Sequence, residues 1–338
     1  MSERVKICIY GPGAVGGFVG VLLAKAGAEV SVVARGAALQ AIRQNGLRLR
    51  RQDGEIAVSV SATDDPATLG PQDYVVLAVK APALPAIVPK LAPLLGPETA
   101  VVTAMNGMLW WFFDGGGPRG SGPLRSVDPG GAIARALPRS RVIGCVVHST
   151  SSQPEPGVIR HGVGDELIIG EATGGVSARV RNLGRWLDRG GFHSKLSADI
   201  QQDAWVKLWG NMNFNPISLL TGATADRIID DPDVYALCIS TMREFAAIGQ
   251  AIGYSLPMTP EARIAMARKL GAFKTSMLQD VEAGRPVELD ALLAAVHEIG
   301  ARVGVPTPFI GAMLGLARLR AAQSGLYEPL AAMAGAAT

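Results

Sequence analysis

The feature that most constrains this chain is a glycine turn, Gly11-Pro12-Gly13-Ala14-Val15-Gly16, placed between a β-rich apolar run and a helical segment. Residues 5–10, VKICIY, read as a strand. Phe18–Ala26 reads as a helix with Gly27 at its C-cap, and Glu29–Val33 as a second strand. Strand, turn, helix and strand together form the unit in which two parallel strands need a helical crossover. Gly11 permits the tight turn, Gly13 lets backbone N–H groups approach a pyrophosphate, and Gly16 allows close helix–strand packing. G-x-G-x-x-G alone is a weak signal. A strand directly before it and a helix directly after it supply the context that makes it a dinucleotide-binding turn.

The end of the second strand distinguishes the two nicotinamide dinucleotides. An NAD site carries Asp or Glu there to bond the ribose 2′-hydroxyl. This chain reads Val32-Val33-Ala34-Arg35-Gly36. A guanidinium suits a 2′-phosphate dianion and gains nothing from a neutral diol. A solvated arginine at a strand end is the plainer alternative, but the missing acid favours NADPH/NADP as cofactor.

Further strand-like runs lie at Tyr74–Val79, Ala100–Thr103 and Val142–Val147, separated by helical material such as Leu84–Leu95. This alternation predicts an α/β, Rossmann-type doubly wound sheet, extended in an antiparallel sense by Val158–Arg160 and Leu167–Ile169. Strand signals then almost vanish. Helical patterns cover Ile200–Phe214, Pro232–Ile252, Pro260–Ala283, Leu289–Val303 and Pro308–Gln323. At 338 residues the chain exceeds the usual size of one domain. The reading is an NADP-binding domain over 1–197 and an all-α substrate and catalytic domain over 198–338. Gly115–Gly122 reads as a mobile surface insertion, and the last residues, AAMAGAAT, as frayed.

Composition narrows the function classes. A formal net charge of +3, with Lys and Arg scattered along the chain, argues against nucleic acid and an anionic membrane as partners. The most apolar stretch, Ala100–Phe113, is broken by Asn106-Gly107 and is too short to span a bilayer. No signal peptide is visible. Cys8, Cys145 and Cys238 are far apart, and His148, His161, His193 and His297 lack ligand-like spacing, so no metal site is expected. A soluble cytoplasmic protein fits these features.

The chemistry-bearing residues of the helical half stand out by their spacing. Lys207, Asn211 and Asn215 fall at i, i+4 and i+8, so a helix puts them on one face. Asparagine is a poor helix former, and two of them on a lysine's face need an explanation. One is a buried polar network tying two helices together. The other is a lysine acid accompanied by amides that hold a carboxylate and an oxo group. A second segment, Thr275-Ser276-Met277-Leu278-Gln279-Asp280 followed by Gly284-Arg285-Pro286-Val287-Glu288-Leu289-Asp290, places Glu288 in the first turn of a helix. There it could simply complement the helix dipole.

Taken in order, GPGAVG, Val79-Lys80-Ala81, Asn106-Gly107, the KL..N...NP run, SMLQD…GR..ELD and Pro306-Thr307-Pro308 resemble the ketopantoate (2-dehydropantoate) reductases over nearly the whole chain. The resemblance implies NADPH-dependent reduction of a small 2-oxo acid, ketopantoate, to pantoate for pantothenate and coenzyme A synthesis. It implies Lys207 as proton donor, and Glu288 as the group orienting the substrate hydroxyl and the nicotinamide ribose. Asn211, Asn215 and Ser276 would bind substrate. Lys80 and Asn106 would lie against the cofactor and the reacting centre, and Ser149 and Thr150 would make cofactor contacts.

The match departs in three places. After Asn106-Gly107 the run Met108-Leu109-Trp110-Trp111-Phe112-Phe113 and the segment through Gly131 look like an insertion, which is either core packing or a wall for a bulkier oxo acid. Ala225 stands where the family has a substrate-binding asparagine. Pro82-Ala83-Leu84 follows Lys80-Ala81 where a polar cofactor contact is usual. The alternatives are therefore an NADP-linked reductase of another oxo acid or imine, and a non-catalytic NADPH-sensing protein. A phosphate-ester dehydrogenase would need an anion pocket, for which Arg227 and Arg243 are available but read as solvated. The apolar helices could support a homodimer.

Overall fold

The structure, a computed structural model, describes residues 4–113 and 122–328. It divides into two compact units. The first comprises the chain up to Met105 together with Arg135–Asp203, and the second comprises Asn106–Ala134 with the chain from Ala204 onward. The division is thus discontinuous, unlike the expected 1–197 and 198–338. The reason is the aromatic run at 108–113, which finds its apolar partners among the C-terminal helices.

In the first unit, β1 (Lys6–Tyr10), α1 (Ala14–Lys25) and β2 (Glu29–Val33) form the expected crossover, with β1 and β2 parallel in the register Lys6↔Glu29. Next come α2 (Gly36–Asn45), β3 (Leu47–Arg51), β4 (Gly54–Val58), β5 (Ser61–Thr63), β6 (Gln72–Leu77), α3 (Leu84–Ile87) and β7 (Leu95–Thr103). The chain passes into the second unit and returns through α4 (Ala132–Ala136). It continues as β8 (Val142–His148), β9 (Ser151–Glu155), β10 (Val158–His161), β11 (Glu166–Glu171), α5 (Ala178–Gly190) and β12 (His193–Leu196).

Eight strands form one sheet in the order β12-β11-β8-β7-β6-β1-β2-β5, parallel except between β8 and β11. The chain leaves β1 towards β2 and β5, then crosses back to β6 and β7. The C-terminal end of β1 is therefore the topological switch point, where ligands bind in open α/β sheets. β11 extends this sheet antiparallel, as expected. β10 does not: it belongs to a second sheet, β4-β3-β10-β9, where it runs parallel to β3 and antiparallel to β9. That sheet packs on α1, and a Cβ added at Gly17 would meet Ile159 Cδ1 at 2.3 Å. Ile7, Ile9, Phe18, Leu22, Val32, Leu49 and Ile159 fill the core of this unit.

Leu84–Leu95 is not one helix. Pro85, Pro89 and Pro93 recur every four residues, each removing an N–H and crowding the carbonyl four residues back, so α3 is a single turn followed by 3₁₀ turns.

The second unit is helical. It contains most of α6 (Ile200–Thr221), then α7 (Ala225–Asp230), α8 (Pro232–Ala251), α9 (Pro260–Arg268), α10 (Ser276–Glu282), α11 (Ala295–Val303) and α12 (Pro308–Gln323). The helix expected over Pro260–Ala283 is broken at Gly271, whose φ is +66°, and restarts at the N-cap Thr275. The helix expected from Leu289 begins with a π-helical turn, Asp290–Ala294. Trp205 and Phe245 stack 3.9 Å apart at the core, with Tyr254 and Phe112 against Trp205. Most of the Gly115–Gly122 loop and all of AAMAGAAT lie outside the described residues. Among the described residues no helix is long and apolar enough to cross a membrane, and no cluster could hold a metal ion.

Candidate functional site

The first unit carries the glycine turn. Gly11 has a φ of +89°, and a Cβ there would lie 2.6 Å from Val79 Cγ1. A Cβ on Gly16 would lie 2.3 Å from the Gly11 carbonyl oxygen. These two glycines are forced by backbone conformation and close approach. Gly13 differs, since a Cβ there would meet nothing within 4 Å. It is the N-cap of α1, with no side chain capping the helix and no acid in the first turn. Pro12, Gly13, Ala14 and Val15 therefore surround an uncapped helix N-terminus with open space before it, which fits a pyrophosphate.

Arg35 is exposed at the N-cap of α2 and makes no ion pair among the described residues. Its charge is felt at the end of β1: burial pushes the Tyr10 phenol up, while Arg35 pulls it down. Lys80 is half-buried where the chain leaves β6.

Thr150 is held in a local turn. Its N–H donates to the Val163 carbonyl at 2.8 Å, its carbonyl accepts from Gly162 N–H at 2.8 Å, and its hydroxyl accepts from Val163 N–H at 2.8 Å. Those polar groups close a local turn with Gly162 and Val163. Ser149 Oγ is buried without a hydrogen-bond partner among the described residues. Sequence reasoning missed Gln153, whose side-chain amide donates to the Pro12 carbonyl at 3.3 Å and braces the glycine turn. A lone glutamine in a short strand gives no motif to find it by.

The second unit gathers most of the remaining candidates. Lys207 Nζ donates to Asn106 Oδ1 at 2.9 Å. Gly107, with a φ of +83°, lets the chain turn directly against the π-helical turn, where Met108 N–H donates to the Ala291 carbonyl at 2.7 Å. An extra residue in a helical turn changes its hydrogen-bond ladder, which suits a carbonyl taken by an outside donor. Glu288, half-buried, stands just before this turn, its carbonyl accepting from Leu292 N–H. Behind it Asp290 is buried and accepts from Arg318 Nη2 at 3.0 Å and the Tyr327 hydroxyl at 2.8 Å.

Asn211 and Asn215 follow Lys207 along α6, and their side chains make no hydrogen bond among the described residues. Pro216 sits inside that helix and cannot donate to the Met212 carbonyl. Ser276 is exposed at the first position of α10. A chain of buried hydroxyls ties it to α6. Leu278 N–H donates to Thr275 Oγ1, which lies 2.6 Å from Ser218 Oγ, and Ser218 donates to the Asn215 carbonyl at 2.8 Å.

Burial bears on two of the departures from the family pattern. Trp110, Trp111, Phe112 and Phe113 are all buried, with Phe112 5.4 Å from Tyr254 and 6.1 Å from Trp205 between ring centres. Phe112 thus packs into the aromatic core of the helical unit. Ala225 is fully buried at the start of α7 and its N–H donates to the Phe273 carbonyl, so this position faces protein.

Residues 7–109 match the family model described as Ketopantoate reductase PanE/ApbA, and residues 199–321 match Ketopantoate reductase PanE/ApbA C terminal. A 2-dehydropantoate 2-reductase of Mesorhizobium japonicum is 46% identical, over 96% of this chain and 100% of its own. A crystal structure from Ralstonia solanacearum MolK2, provisionally described as a ketopantoate reductase, is similar with a TM-score of 0.92 at 53% identity, covering 96% of this chain and 100% of that one. The 2-dehydropantoate 2-reductase of Methylococcus capsulatus gives a TM-score of 0.81 at 28% identity, over 94% and 97% of the two chains.

Proposed function

The chain belongs to the ketopantoate reductase family, and on that premise we propose that it reduces 2-dehydropantoate (ketopantoate) to pantoate with NADPH. The observation that carries this reading is the ammonium of Lys207, held 2.9 Å from Asn106 Oδ1 on a helix that also carries Asn211 and Asn215. NADPH, when bound, supplies the hydride that adds to C2 of the oxo acid. As charge builds on the carbonyl oxygen, Lys207 stabilises it and gives up its proton to form the hydroxyl. Asn106 fixes the direction of the ammonium by accepting a hydrogen bond from it through Oδ1. Asn211, Asn215 and Ser276 bind the substrate's polar groups, and Glu288 orients its hydroxyl and the nicotinamide ribose.

In the first unit, the N–H groups of the Gly11–Gly16 turn hold the pyrophosphate, Arg35 holds the 2′-phosphate, and Lys80 lies beside the cofactor. We place the protein in the cytoplasm, a reducing compartment that fits its three free, buried cysteines. A homodimer would use apolar residues that α12 leaves exposed, Phe309, Leu316 and Leu319, and light scattering on the purified chain would read it.

The test is NADPH oxidation by the purified protein with ketopantoate, run beside NADH and several bulkier 2-oxo acids. Rapid turnover with ketopantoate and NADPH is expected. No turnover with ketopantoate beside turnover of a bulkier acid would overturn the substrate and leave the reaction class.

A further inference from the structure

Gly210 lies inside α6, where glycine costs about 1 kcal/mol relative to alanine. Its neighbour explains it. A Cβ built on Gly210 would lie 2.7 Å from Arg263 Nη2 and 3.3 Å from Arg263 Cζ. The guanidinium of Arg263, reaching from α9, occupies the place of the missing side chain. Gly210 is three residues from Lys207, which on a helix means about 60° of rotation and a rise of about 4.5 Å. An arginine head thus rests within one helical turn of the lysine assigned as proton donor.

This arginine is unlike its neighbours. Arg243 pairs with Glu261 at 3.2 Å, Arg268 with Asp230 at 2.6 Å, and Arg318 with Asp290 at 3.0 Å. The Arg263 guanidinium has no hydrogen bond or ion pair among the described residues, although the residue is only half-exposed. Burial pushes its basicity below the ordinary arginine value, with no carboxylate to offset that loss. A partly desolvated cation without a counter-ion is costly unless an anion arrives to pair with it. Its planar fork matches a carboxylate in two-point geometry.

We propose that Arg263 binds the carboxylate of the 2-oxo acid, seated on Gly210 so that the adjoining oxo group falls to Lys207. The assignment rests on the proposed reductase reading.

The experiment uses the full chain at saturating NADPH, with ketopantoate and its neutral carboxamide as paired substrates. Arg263→Met keeps the shape of the stem and removes the charge. KM for ketopantoate should rise about 10- to 100-fold, the range for losing a hydrogen bond to a charged group. KM for NADPH should stay near that of the unaltered protein, the loss with the carboxamide should be much smaller than with the acid because only a neutral hydrogen bond is removed, and Arg263→Lys should recover part of the loss. Gly210→Ala should raise KM for ketopantoate as well, because its Cβ displaces the guanidinium, while raising Tm through better helix propensity. Equal losses for acid and carboxamide, an unchanged KM in Arg263→Met, or a Gly210→Ala protein that is more stable with unaltered KM would each overturn the proposal.

If the unaltered protein turns over no ketopantoate, the functional reading fails separately. Arg263 is then judged by calorimetry of 2-oxoisovalerate binding to the NADP-loaded protein. Arg263→Met should weaken that binding at least about tenfold. Equal affinity, or no binding to either protein, overturns the assignment.

Discussion

Gly107→Ala tests the link between the lysine's partner and the π-helical turn. Gly107 has a φ of +83°, and a side chain in the left-handed region costs about 1–2 kcal/mol. The new Cβ would also lie 2.8 Å from Ala291 Cβ and 2.9 Å from Ala291 O. Relieving such overpacking costs about 1–3 kcal/mol. The sum is a destabilisation of about 2–5 kcal/mol, confined to the helical unit. Four of the five tryptophans, Trp110, Trp111, Trp205 and Trp209, belong to that unit and Trp186 to the other, so urea unfolding followed by tryptophan fluorescence reads mainly the helical unit. The midpoint should fall with little change in slope. Relief must also lengthen the bond of 2.7 Å from Met108 N–H to the Ala291 carbonyl, shifting Asn106 against Lys207. A displacement of about 1 Å near a reacting group can cost about 100-fold, so kcat should drop at least tenfold at saturating substrate. An unaltered unfolding midpoint, or a destabilised protein with full kcat, would refute the reasoning.

Lys207→Met should lower kcat by about 10²- to 10⁴-fold while leaving NADPH binding intact; a protein retaining normal turnover excludes Lys207 as the acid. Arg35→Ala should weaken NADPH binding about 10- to 100-fold and leave NADH nearly unaffected, measured as separate dissociation constants; equal weakening of both would remove Arg35 from the 2′-phosphate. Glu298 should make the helical unit acid-sensitive. Burial pushes its carboxyl up, but the N–H groups of Ser126 and Arg125, the Ser126 hydroxyl and Arg302 together hold it below its ordinary value of 4.5. Its stabilisation is therefore complete above pH 4.5 and is lost as pH falls through the lower value of the folded state. Glu298→Gln should lower Tm at pH 7 and flatten the decline of Tm on acidification. Parallel profiles for the two proteins would show that this carboxylate carries no such linkage.

The nucleotide half was readable because each of its constraints is local. A strand, a glycine turn and a helix follow one another without interruption, and Gly11 and Gly16 are required by their immediate surroundings. The face of α6 was readable from period alone. What stayed hidden depends on distant partners. Nothing near residue 290 signals a π-helical turn, because the donor that takes the Ala291 carbonyl is Met108. β10 leaves the main sheet because β3, more than a hundred residues earlier, offers it an edge. Arg263 belongs to no motif in the sequence, and the reason for its placement is Gly210, more than fifty residues earlier. Thr150 fits the family's pattern, yet its hydrogen bonds close a turn with Gly162 and Val163.

The discontinuous second unit also limits how this chain can be cut and recombined. The two family matches end and begin at residues 109 and 199, which invites a fusion of one relative's N-terminal half to another's C-terminal half. Such a chimera would pair Lys207 with another relative's Asn106, set another relative's Gly107 against Ala291, and disturb the aromatic plug around Trp205. Residues 106–134 must travel with the helices if substrate preference is to be transplanted between family members. The inheritable cassette is two separate stretches of sequence, and a gene fragment encoding only the second would express a helical bundle lacking a piece of its own core.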